Sequence, residues 1–362
     1  MSLTPQPIRR FAVLAFAWCL AWHSFAMAEP VVDEAAIEAA RQLTGDSQER
    51  RTPAPSRTDR APEPIAPPPL RELKVMLEWY LGLQHAPWIL ARERGDFERQ
   101  ALTVELMPPA DPELPTKLLM TERIDLALGR QPQLHLESAA GHRLVRVATL
   151  IDSPVSGLVM RQDNGIDSPL GLAEGPLAYA VADSALVART MLAHHGIALN
   201  DERLVHRHFG LGQALLAGEA VAVVAPLWIT LEAQLAEEGL NTRQFLAEEH
   251  GLPPFDGLIL MAHQERLAAL RDDIMRLVTA LESATLWALN HPEEAWALLV
   301  ASEPSLDSTA NRRAWPSLLA RLAPSPAALN EGRYARFERF LVATGQLESA
   351  RAPHQLAIDP AQ

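Results

Sequence analysis

From Leu73 onward the chain alternates short apolar runs with segments of helical periodicity, and no other feature narrows its fold as far. Residues 73–77, 102–107, 124–128 and 144–150 read as strands, and 86–94, 112–120 and 131–140 as the helices between them. Short buried strands alternating with helices of ~10 residues build βαβ units and a mostly parallel sheet. The run 157–160 is a further strand-like segment. A second cycle follows, with strands at 177–181, 204–208 and 220–225 and helices at 184–195, 212–217 and 228–238. The chain then passes Pro253-Pro254 into a strand at 258–262. Segments 266–290, 293–300, 312–319 and 327–341 carry apolar residues at period 3.6 and read as helices. This order predicts an α/β protein of two lobes joined by two crossings, with a cleft between them and a helical C-terminal tail. The expected boundaries are 71–160 for the first part of lobe one, 161–254 for lobe two, 255–345 for the return to lobe one, and 346–362 for a tail.

The residues before Arg71 have another character. Arg9-Arg10, the apolar run 11–22 and Ala26-Met27-Ala28 read as a secretory signal peptide over 1–28, too short in its apolar part to span a bilayer. Residues 29–70 read as a flexible linker, with seven prolines between 52 and 69. Cys19, the one cysteine, falls within the leader, so the exported chain is expected to carry no thiol for a disulfide, a nucleophile or a metal. Net charge is −13, with no basic stripe to neutralise phosphates, which argues against nucleic acid as a partner.

Chemistry-bearing motifs are sparse. The chain has no G-x-S-x-G elbow, phosphate loop or H-E-x-x-H. Only Lys74 and Lys117 are lysines among 32 basic residues, and neither falls at an expected strand end. Gly210-Leu211-Gly212 reads as a helix-opening turn. His206 and His208 share a strand face without a third ligand at supportive spacing, and His194-His195 close a helix; no metal site and no catalytic group are assigned. Trp79 and Tyr80 stand apart. They follow the first strand directly, and open α/β sheets bind ligands at the carboxyl ends of their strands.

Several segments together resemble the solute-binding proteins of ABC importers. They are Glu78-Trp79-Tyr80, His85-Ala86-Pro87, Ala91-x-Glu93-x-Gly95-x-Phe97, Asp125-Leu126-Ala127, Gln131-Pro132-Gln133-Leu134-His135, Glu249-His250-Gly251-Leu252-Pro253 and Asn290-His291-Pro292-Glu293-Glu294-Ala295-Trp296. The resemblance spans roughly 72–345. It is strongest to the group that binds the pyrimidine precursor of thiamine, related to alkanesulfonate- and nitrate-binding proteins and to the fungal thiamine pyrimidine synthase. It implies a type II periplasmic binding fold, a heterocycle held between the lobes without a cofactor, and a monomer that docks on an inner-membrane permease. Trp79 and Tyr80 would wall the ligand, with His85 and Gln131 close by. Ser153 and Ser156 would supply hydroxyls at the first crossing, Trp228 a second ring, and Glu232 or Asp256 a carboxylate for an exocyclic amine. Relatives carry a Gly-Gly turn and a Glu after the first strand of lobe two; here Asp183 and Ser184 stand near that acid. Each residue also has a plain role: packing for Trp79, Tyr80 and Trp228, capping for His85 and Asp183, backbone pairing for Gln131, a solvated face for Glu232. Two alternatives follow. An enzyme like the fungal synthase, with pyridoxal phosphate and iron, would require a lysine where Gly129-Arg130 stands and a cysteine-rich stretch. A drifted binding domain acting as a partner protein would require neither.

Overall fold

The structure, a computed structural model, describes residues 69–360. The signal peptide, Cys19 and all but the end of the expected linker lie outside the described residues. The strands are β1 (Arg71–Met76), β2 (Leu102–Met107), β3 (Leu126–Gly129), β4 (Leu144–Ile151), β5 (Gly157–Arg161), β6 (Leu177–Tyr179), β7 (Leu204–His206), β8 (Ala222–Ala225), β9 (Thr242–Leu246) and β10 (Leu258–His263). The helices are α1 (Ala86–Glu93), α2 (Asp96–Arg99), α3 (Leu114–Met120), α4 (Gln131–Ala139), α5 (Ala182–His194), α6 (Leu211–Leu216), α7 (Trp228–Glu237), α8 (Leu267–Asn290), α9 (Pro292–Ser302), α10 (Thr309–Leu319) and α11 (Glu331–Ala343).

Two five-stranded sheets share one plan. The first runs β2-β1-β3-β10-β4 and the second β7-β6-β8-β5-β9. In each, three strands pair in parallel, β2-β1-β3 and β7-β6-β8. Into each is inserted one antiparallel strand that has just arrived from the other lobe, β10 in the first sheet and β5 in the second. Residues 152–156 and 247–257 are therefore the two crossings. β4 and β10 are buried along their whole length, which is why both are mostly apolar, with Arg146 and Thr149 the polar exceptions in β4 and His263 the last residue of β10.

Two expectations need correcting. β5, expected to close lobe one, pairs instead in the second sheet, because the chain has already crossed at 152–156. Its first residue is glycine for a steric reason: a Cβ at Gly157 would lie 2.5 Å from the Phe245 carbonyl oxygen of β9. The residues after 345, expected as a separate tail, close over lobe one. The buried Arg146 guanidinium donates to the carbonyls of Pro326, Ala327, Ala328 and Ile358, and Leu356 and Ala357 are buried in the core beside β10. β9 was not legible as a strand. It is a half-buried edge strand of sequence Thr-Arg-Gln-Phe-Leu, without an apolar run.

The C-terminal helices tie the lobes together. Tyr334 of α11 sits in a core of lobe one, while Phe337 and Leu341 of the same helix fill the core of lobe two. α10 packs on α7, and Glu237 accepts the Ala310 N–H at 2.5 Å. Among the described residues no helix is long and apolar enough to cross a membrane.

Candidate functional site

The ends of β1 and β3 in the first sheet and of β7 and β8 in the second lead to a cavity of about 200 Å³. β1 leads into Glu78, Trp79 and Tyr80, and β3 into Arg130. From lobe two the cavity takes Phe209, beyond β7, and Leu227, beyond β8. Thr230, Leu231 and Gln234 of α7 complete that wall. The crossings supply the floor through Val155 and Gly257. Gly257 permits this approach, since a Cβ there would lie 2.4 Å from the Ser153 carbonyl oxygen.

Three rings meet across the cleft. Trp79 stands edge-on to Phe209, with ring centroids 4.6 Å apart and planes at 81°. Tyr80 lies 5.5 Å from Trp79 and 5.8 Å from Phe209, and its hydroxyl donates to Gln234 at 3.4 Å. Trp79 is half-buried and packs on the core of lobe two; Tyr80 is 41% exposed. Aromatic rings with free faces at a cavity suit a flat apolar or heterocyclic guest.

The polar side of the cavity is built on Glu78. Its carboxylate accepts from Gln84 Nε2 at 3.2 Å and pairs with His85 Nε2 at 2.9 Å. The Gly82 N–H donates to His85 Nδ1, so the ring presents its Nε2–H to Glu78. Burial pushes the Glu78 carboxyl up, but His85, with a smaller contribution from Arg130, outweighs it and holds the group below its ordinary range. Gln84 Oε1 is buried and has no hydrogen-bond partner among the described residues. Glu78 thus presents an acceptor at the cavity, an arrangement that suits a ligand carrying N–H donors. Arg130 is buried and donates twice to Asp183 of α5, at 2.8 and 3.0 Å, a bidentate pair joining the two lobes. Burial opposes the charge on Arg130, yet Asp183 and Glu78 overcome it and raise its pKa.

Of the residues singled out from sequence, Trp79 and Tyr80 line the cavity, and Asp183 stands behind it through Arg130. His85 is buried beneath Glu78. Ser184 is buried in the first turn of α5. The remaining candidates do not line the cavity. Gln131 is engaged with Asp256, accepting its N–H at 2.8 Å, and with His135. The Asp256 carboxylate accepts from Thr149, Tyr334 and Arg333. Ser153 and Ser156 belong to the first crossing, where the Ser156 carbonyl accepts the Ala247 N–H. Trp228 packs where the lobe cores meet, with the Arg321 guanidinium 5.6 Å from its ring. Glu232 lies on α7, where burial pushes its carboxyl up.

Phe209, Gln84, Glu78 and Arg130 were not singled out as ligand-facing. The signal for Phe209 was available: it follows β7 as Trp79 follows β1, and the strand-end rule applies to both sheets. His206 and His208, expected on an exposed strand face, lie with ring centroids 4.1 Å apart and planes tilted at 58°, and His208 reaches Asp111 of lobe one at 2.8 Å. Gly210 opens α6, as its turn-like sequence suggested. A pyridoxal-type cofactor does not fit these residues. Lys74 is exposed on β1, Lys117 is exposed and pairs with Glu113, and the guanidinium of Arg130 forms no Schiff base.

Comparison with known proteins bears on the family and the fold. The family model described as "NMT1/THI5 like" matches residues 83–295. A Haemophilus influenzae protein provisionally named for thiamine biosynthesis is 34% identical over 291 residues, covering 80% of this chain and 92% of its own. The formylaminopyrimidine-binding protein of Halalkalibacterium halodurans is 26% identical over 235 residues, covering 65% of this chain and 71% of its own. Among solved structures, the alkanesulfonate-binding protein SsuA from Xanthomonas axonopodis pv. citri superposes with a TM-score of 0.63 at 15% identity, over 80% of this chain and 96% of that one. The match to the family model over more than half of the chain, together with the two-lobed architecture, means that this chain belongs to the NMT1/THI5-like family and has the type II periplasmic binding protein fold.

Proposed function

We propose that the chain is the substrate-binding subunit of an ABC importer and holds a small aminopyrimidine of the thiamine-precursor type between its lobes. The observation that carries this reading is the wall of Trp79, Tyr80 and Phe209 beside the Glu78 carboxylate, whose oxygens are the acceptors at the cavity. A pyrimidine ring would lie against the aromatic faces, gaining ~0.5–1.5 kcal/mol from ring geometry beyond the area buried. Its exocyclic amine would donate to the acceptors. The cavity is smaller than the roughly 300–1,000 Å³ of drug-sized sites, which favours a single ring. The formylaminopyrimidine-binding relative supports the same class of ligand. On this reading the protein works in the periplasm, delivering its ligand to an inner-membrane permease and performing no chemistry.

Isothermal titration of the purified chain with formylaminopyrimidine, hydroxymethyl-aminopyrimidine and an alkanesulfonate tests it. The aminopyrimidines are expected to bind one per chain and to quench tryptophan fluorescence. At a hundred times Kd they add about 2.7 kcal/mol of stability. The sulfonate is expected to fail, because an anion would meet the Glu78 carboxylate. Binding of the sulfonate alone would refute the pyrimidine reading, and binding of none would favour a domain that has drifted into a partner role.

A further inference from the structure

We infer that lobe one carries a divalent-cation site formed by Glu122, His263 and Glu265, at the end of the sheet remote from the ligand cavity. β10 begins at the cleft with Leu258 and runs away from it, so His263, its last residue, emerges on the opposite side. There it meets Glu122, from the turn between α3 and β3, and Glu265, from the turn before α8. One donor atom from each of the three lies within 4.8 Å of the others.

The independent observation is His263 itself. The residue is 8% exposed, and its Nδ1 is buried without a hydrogen-bond partner among the described residues. A buried ring nitrogen left unpaired is destabilising, and such an orphan calls for a missing partner. The Glu122 carboxylate faces it at 3.9 Å, too far for a hydrogen bond and near the span of two ligands on one ion. Zinc–nitrogen and zinc–oxygen bonds of about 2.0–2.2 Å place neighbouring donors roughly 3–4 Å apart. The two glutamates are exposed and can rotate by that much once Glu265 parts from Arg143, while the histidine is buried. One imidazole with two carboxylates suits Zn²⁺ or Mn²⁺ better than Ca²⁺ or Mg²⁺, which take oxygen ligands. Arg143 competes, because it donates to Glu265; it is a 61% exposed side chain that can swing into solvent when the ion enters. Bound there, the ion would staple the turn before β3 to the end of β10 and the start of α8.

The test is titration of the full chain with Zn²⁺ and Mn²⁺, following heat and melting temperature, with Mg²⁺ and Ca²⁺ alongside. One Mn²⁺ or Zn²⁺ per chain is expected, with a raised melting temperature. His263→Ala, Glu122→Gln and Glu265→Gln should each weaken it by about tenfold or more. Glu122 and Glu265 are exposed, so their variants fold even if His263→Ala does not. His195 and His250, 3.0 Å apart in lobe two, are another pair of ligand-type side chains among the described residues, and His250→Ala should leave the Mn²⁺ site intact. Absence of Zn²⁺ and Mn²⁺ binding, binding insensitive to the two glutamate variants, or binding abolished by His250→Ala would each overturn the inference. None of these residues lines the ligand cavity, so pyrimidine binding stands or falls separately.

Discussion

Trp79 has one face of its energetics in each lobe: its chain position belongs to β1, while its ring packs on Phe209 and the core of lobe two. On the proposed function, Trp79→Ala should remove both a ligand wall and a contact between the lobes, at a cost of about 2–3 kcal/mol or a 30- to 150-fold rise in Kd. Titration calorimetry would show this, and Phe209→Ala should behave alike. Glu78 makes a prediction about pH. Its carboxyl titrates lower in the folded chain than in the unfolded one, so the stability it contributes is complete above its ordinary 4.5 and is lost as the pH falls beneath that value. Denaturant midpoints should be insensitive to Glu78 between pH 8 and 5 and fall below that window, and Glu78→Gln should flatten the acid limb. At this scale the sequence was partly legible. Trp79 and Tyr80 are conspicuous because two large rings directly follow an apolar run. Gln131 and Asp256 show the ambiguity of a polar residue at a strand end, which can serve a ligand or the fold: in the folded chain Gln131 accepts the Asp256 N–H and Asp256 accepts from Tyr334.

The elements followed their periodicity closely wherever burial was one-sided or complete, and departed from it where neither held. α11 begins at Glu331 because the Asn330 side chain accepts the Arg333 N–H, a cap that stops the helix short of the apolar residues before it. β9 escaped notice because an edge strand half in water needs no apolar alternation. α11 also shows what local pattern leaves out. Its Glu338 is fully buried, bonded to His135 of α4 at 2.6 Å and to Arg351 at 2.8 Å. In sequence it reads as an ordinary helical glutamate. Glu338→Ala should leave Arg351 and His135 without their acceptor and lower stability by about 3 kcal/mol in urea unfolding, with ligand affinity unchanged at saturating stability.

At the scale of the whole molecule, contacts between the lobes decide what the cleft can do. The Arg130–Asp183 pair, His208–Asp111 and the contacts of Phe209 with Trp79 and Tyr80 all join side chains more than fifty residues apart. A binding protein of this kind works by shifting a balance between open and closed forms, and a ligand moves that balance only by contacts it makes in one of them. Asp183→Asn keeps the shape of the pair and removes its charge, leaving Arg130 buried and half-satisfied. The expected result is a faster ligand off-rate, by about 10- to 100-fold, with a larger radius of gyration by X-ray scattering without ligand. An unchanged off-rate would mean that the pair plays no part in closure.

What the amino-acid sequence determined by itself is the alternation of strands and helices, the two cycles and the return, since hydrophobic periodicity is local and survives without knowledge of the fold. It also marked one wall of the cleft, because strand ends are where α/β sheets bind. Tertiary structure alone decided the rest: that Phe209 faces Trp79, that Arg130 meets Asp183, that β5 belongs to the second sheet and that α11 fills both cores. Those are pairings between distant residues, selected by packing and charge compensation in the folded chain, and no neighbouring residue announces them.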